Sequence, residues 1–165
     1  MKYFNRWFVP AALALLSACS FHQVPMAVLP VGPAPREEIK SSNEGFLMVY
    51  SAWSLFNDYP SSTDHHSRYT ITSDDGKLNK EVQNHIDRFD EGPIRLPLTP
   101  GSYKVSARSA HSGRVVVPVI IKERQTTVVY LDGSSPSDVV QAHAANMVKL
   151  PNGQIVGWSA EPPVK

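Results

Sequence analysis

The sequence predicts a mainly β protein: an antiparallel β-sandwich followed by a short helix and a hairpin, and preceded by a leader and a proline-rich spacer. Three observations carry this. Between residues 93 and 131, short runs alternate apolar and polar residues and are separated by tight-turn signals. The 165 residues hold 14 prolines against 9 glycines, with Val, Thr, Tyr and Ser frequent, a mixture that suits short strands and rigid connections. Cys19 is the single cysteine, so a packed core rather than disulfides must hold one domain of this size together. Lys and Arg number 16 against 15 for Asp and Glu. No global field therefore draws nucleic acid or an anionic surface.

The first residues read as a secretory leader. Lys2 and Arg6 supply a positive start, Trp7 to Leu16 an apolar segment broken only by Pro10, and Ser17 and Ala18 a small-residue cleavage site. The apolar segment falls well short of the ~20 residues that span a bilayer. Leu16-Ser17-Ala18-Cys19 resembles the lipobox of bacterial lipoproteins. The resemblance implies a signal peptide over 1–18 and lipid on Cys19, whose several acyl chains anchor far more firmly than one. By the same resemblance, Ser20 favours the outer membrane, with the domain facing the periplasm. An ordinary signal peptide with a chance cysteine, or an uncleaved anchor, is the plainer alternative. Removal of 1–18 takes away Lys2 and Arg6 and turns a net charge of +1 into −1.

Residues 19–44 follow, with prolines at 25, 30, 33 and 35 and almost no periodicity. They read as a semi-rigid tether, or as a terminus with no task beyond connection. The sandwich is expected over 45–132. Phe46 to Trp53 is apolar on both alternating faces, as in a strand covered on both sides or shared with a partner surface. Residues 57–62 form a loop. Tyr69 to Thr72 is a strand closed by the turn Asp74-Asp75-Gly76, while 80–90 fits helix and strand alike. Ile94, Leu96 and Leu98 make a short edge strand. Thr99-Pro100-Gly101-Ser102 turns the chain into Tyr103 to Arg108, His111-Ser112-Gly113 into Val115 to Lys122, and residues 122–125 into Thr126 to Leu131. These last three strands are expected to form an antiparallel meander.

The runs Leu-Pro-Leu-Thr-Pro-Gly-Ser-Tyr-Lys-Val (96–105), Val-Pro-Val-Ile-Ile-Lys (117–122) and Gln-Thr-Thr-Val-Val (125–129) resemble carboxypeptidase-regulatory-like and PEGA-type domains. Those are transthyretin-like, broadly Ig-like β-sandwiches. The resemblance covers 93–131 and, in outline, 45–131. Arg124 stands where such domains usually carry glycine. It implies an accessory module without an active site of its own. Residues 133–165 are expected to add a short helix, from an N-cap at Ser135 to about Ala145, and a hairpin pairing Met147–Leu150 with Ile155–Trp158.

Candidate chemistry is sparse. Asp64-His65-His66 is the one compact cluster with metal-binding potential, to which His85, His111 or His143 would have to contribute. Adjacent strand residues point to opposite faces, however, and no HExxH or Cys-x-x-Cys spacing is present. A solvated polar loop is the favoured reading, with no metal. Nor does any nucleophile elbow, phosphate loop or dinucleotide fingerprint organise the Ser, His and Asp residues, so neither catalysis nor a cofactor is expected. Among the aromatics, Trp53 is assigned to the core, while Tyr59 and Trp158 are the candidate partner contacts. The expected function is a non-catalytic, membrane-anchored lipoprotein. It acts as an interaction or structural module of the envelope, held to the membrane through Cys19, with an envelope protein as partner. The alternative is a small-ligand or metal-binding envelope protein using Asp64, His65 and His66.

Overall fold

A computed structural model describes residues 26–27, 29–38, 42–54, 65–84, 92–134 and 146–161, with backbone alone at 35–38, 54 and 65. Its strands are β1 (Val31–Glu38), β2 (Gly45–Tyr50), β3 (Trp53–Ser54), β4 (His65–His66), β5 (Tyr69–Ser73) and β6 (Asn79–Val82). There follow β7 (Leu96–Leu98), β8 (Gly101–Ser109), β9 (Gly113–Ile121), β10 (Gln125–Tyr130), β11 (Met147–Lys149) and β12 (Ile155–Ser159). The protein is mainly β, and no α-helix occurs among the described residues. Ten strands form one sheet, curled as a half-barrel, in the order β6-β5-β8-β9-β1-β10-β2-β7, with β12 on β1 and β11 on β12. β3 and β4 make a separate ribbon.

Alternation explains the strands. β8 turns Tyr103, Val105 and Ala107 inward and β9 turns Val115, Val117 and Val119, which face them across the antiparallel ladder. Leu47 and Val49 of β2 and Val129 of β10 close over the same apolar cluster, to which Val31, Ile71, Leu131, Val148, Leu150 and Val156 also belong. At the β7–β8 turn, the Tyr103 hydroxyl donates to the Thr99 carbonyl at 2.8 Å and lies 2.9 Å from the Thr99 hydroxyl. The Pro-Gly-x-Tyr run thus fastens its own turn.

β1 joins the two limbs of the half-barrel. Its start pairs with β9 (Val31↔Val119) and β12 (Gly32↔Trp158), its later part with β10 (Pro33↔Thr127). Part of the stretch expected as a tether is thus a strand inside the sheet, and residues 45–132 do not make up the fold alone. The expected meander is also corrected. β8 and β9 form the hairpin, but β10 leaves β9 and pairs antiparallel with β1 and parallel with β2. The reason is geometric: β1 occupies the edge of β9 that a meander would need. The connecting turn is short all the same, because Arg124 takes a positive φ of 58° and its N–H bonds the Glu44 carbonyl at 2.8 Å. The late hairpin forms as expected, turning at Gly153 with φ 86°, and it extends the sheet through β12. The leader, Cys19, Tyr59, Asp64 and the helix expected over 135–145 lie outside the described residues.

Candidate functional site

Past Tyr50 the chain leaves β2 and enters a buried polar lock. Ser51, His66 and Asn84 are all buried. The Ser51 hydroxyl donates to the Ser67 carbonyl at 2.5 Å, and Asn84 Nδ2 donates to the Val49 carbonyl at 2.7 Å and to Ser51 Oγ at 3.0 Å. Asn84 Oδ1 accepts the Ile94 N–H at 3.2 Å. His66 Nδ1 lies 2.6 Å from the Ser51 carbonyl oxygen. A carbonyl only accepts, so Nδ1 carries the proton. The serine and histidine side chains are therefore not arranged as nucleophile and base. The ring is aimed at Ser51's backbone, and the hydroxyl is spent on Ser67.

This lock positions a row of aromatic rings. Trp53, paired with His66 across β3 and β4, stacks on the imidazole at 4.3 Å between centroids with 24° between planes. The Tyr50 ring meets the same histidine edge-on, at 5.5 Å between centroids and 88° between planes. In-register parallel pairing of β2 and β10 sets Tyr50 beside Tyr130, and the two stack at 5.1 Å and 11°. Trp158 of β12 ends the row, 6.0 Å from Tyr130 at 62°. Burial first, then the neighbouring Tyr50 and Asp132, push the Tyr130 hydroxyl up to about 12. It stays neutral under ordinary conditions and keeps the row apolar.

Trp53 was expected in the core, and here the structure corrects the sequence. The preceding Ala52 is buried while Trp53 remains 40% exposed, stacked on the buried His66 ring. Trp158 is only 7% exposed. It lies outside the main apolar cluster, and its indole N–H is buried without a hydrogen-bond partner. Of the histidine cluster only the His66 side chain is described, and it is committed to the lock. Among the described residues, no three His, Cys, Asp or Glu side chains stand close enough to share a metal.

A second concavity lies at the opposite end of the sheet. A groove of about 660 Å³ is lined by Glu44, Asp74, Asp75, Lys77, Thr99 and Tyr103, among others. Asp75 accepts from the Ser73 hydroxyl and the Lys77 N–H, and the serine bond foremost holds its carboxyl below the usual range. Lys77 and Lys104 are ion-paired with Asp75 and Asp74. Both aspartates of the groove thus have a lysine partner, and Glu44 has no ion pair among the described residues.

Sequence reasoning missed Tyr50 and Tyr130, since nothing local announces that residues 80 positions apart share a ladder. Comparison of the chain with protein-family models, curated proteins and solved structures finds no match.

Proposed function

We propose that the protein is a non-catalytic lipoprotein of the bacterial envelope, held by acyl chains on Cys19 and acting as an interaction or structural module toward the periplasm. One observation carries this reading: Leu16-Ser17-Ala18-Cys19 stands at the end of a basic-then-apolar leader and is followed by a chain rich in strands. The same proposal takes the two limbs as the faces of a transthyretin-like β-sandwich. Its support is the single apolar cluster filled from both limbs and the left-handed backbone at Arg124, where the resembling domains carry glycine. The consumption of Ser51, His66 and Asn84 by a structural lock favours binding over catalysis. Confinement near a membrane raises the effective concentration of a partner in the same envelope.

The test is crosslinking in intact cells expressing either wild-type protein or Cys19→Ala, with co-purifying proteins identified by mass. A defined envelope protein recovered only with the lipidated form is expected. The same partners with both forms would show that the anchor does not organise the interaction.

A further inference from the structure

The exposed large apolar side chains among the described residues are Met26, Leu29 and Trp53, and their placement follows from the ladders. Met26 bridges to Val116 on one side of the β8–β9 pair. On the other side the Ala52 N–H bonds the Arg108 carbonyl at 2.8 Å, which brings Trp53 to the same end of the sheet. Ala52, β8, β9 and Met26 lie side by side, so three strand spacings, about 14 Å, separate the two flanks.

Between those flanks Arg108 and Arg114 face each other directly across the antiparallel ladder, and both are exposed. Like charges directly opposite repel. Among the described residues no ion pair relieves either one, as none relieves Lys80, Arg95, Lys122 or Lys149; what sets these two apart is that they stand opposite each other on the ladder. Arg114 makes one weak bond, 3.3 Å, to Ser106 Oγ. A chain whose charges nearly cancel thus holds two guanidinium groups with no carboxylate partner among the described residues, between exposed methionine and tryptophan side chains.

We propose that this end of the sheet lies on an anionic lipid surface, with Arg108 and Arg114 at headgroup phosphates and Met26 and Trp53 at the boundary of the acyl region. Tryptophan favours that depth, and basic residues near an anionic leaflet add affinity. The inference rests on the lipoprotein reading, which supplies the reach. Seven residues from Cys19 to Met26 span at most about 25 Å, so the acylated cysteine keeps this end near the bilayer. The groove at Asp74, Asp75 and Lys77 then faces away from the membrane.

Full chains carrying Cys19→Ser test this without the lipid. Their binding to vesicles of phosphatidylethanolamine with phosphatidylglycerol, and to vesicles of phosphatidylcholine, is measured by co-sedimentation. All variants share the same leader, so differences between them report on the patch. Binding to the anionic vesicles is expected to fall roughly thirtyfold in Arg108→Gln with Arg114→Gln, to weaken in Trp53→Ser, and to be unchanged in Lys104→Gln at the far end. Circular dichroism of each variant confirms the fold. Equal binding to neutral vesicles, no binding by the parent chain, or arginine-independent binding overturns the proposal. The anchor fails separately: an unacylated Cys19 in cells refutes the lipoprotein and leaves the vesicle result standing.

Discussion

Asn84 is a single buried amide that ties together three parts of the chain: the end of β2, the serine that follows it, and the backbone at Ile94. Its removal leaves the Ile94 N–H without its partner inside the protein and takes one of two bonds from the Val49 carbonyl, which keeps the Ser51 N–H at 3.0 Å. Asn84→Ala is therefore expected to lower unfolding free energy by about 2–3 kcal/mol, measured by urea denaturation. Aromatic contacts should loosen with it, since Ser51 and His66 set the row. Nothing in the sequence marks this residue, because its partners lie 33 and 35 positions away. Arg124 is the opposite case. Its departure from an expected glycine is visible in the sequence, and the backbone there has φ 58°, a conformation that costs a side chain roughly 1 kcal/mol or more. Arg124→Gly is expected to raise the unfolding free energy modestly, by up to about 1 kcal/mol, and an unchanged or lower denaturation midpoint would contradict this account of the turn.

At the level of elements, turns and alternating runs were legible and pairings were not. The Asp74-Asp75-Gly76 turn, the Thr99–Ser102 turn and the late hairpin all follow from local chemistry, with Gly76 and Gly153 at positive φ. β1 was not legible. Prolines at 30, 33 and 35 argue for a spacer, and the strand's pairing with β10 is irregular between Pro33 and Glu38. Its place in the sheet comes from partners distant in sequence. A short turn also reads alike whether it closes a hairpin or carries the chain to the other limb, which is why β9 and β10 suggested a meander. The crossing of β12 over this junction is tight: a Cβ on Gly157 would stand 2.5 Å from Val31 Cγ1 and 2.7 Å from the Val128 carbonyl oxygen. Gly157→Ala is expected to cost about 1–3 kcal/mol in the same denaturation assay. A neutral substitution would mean that β12 does not press on β1 and β10 as described.

Across the whole molecule, charge and exposed apolar surface differ between two ends. The end near Met26, Trp53, Arg108 and Arg114 carries unpaired charge and exposed apolar surface. The other end holds a groove whose Asp74 and Asp75 are paired with Lys104 and Lys77. Composition alone conceals this, since a balanced count of acids and bases says nothing of where they stand. The leader and the lipid on Cys19 are expected from a linear pattern alone, and they lie outside the described residues. The aromatic row was not legible in the sequence, because Trp53, His66, Tyr50, Tyr130 and Trp158 come from five strands.

Anchoring through Cys19 is decided by the mass of the mature protein recovered from membranes. A chain that begins at Cys19, lacks residues 1–18, and carries acyl groups on both the thioether-linked glycerol and the amino terminus is expected. A mature chain bearing no lipid, or one that retains the leader, would contradict it.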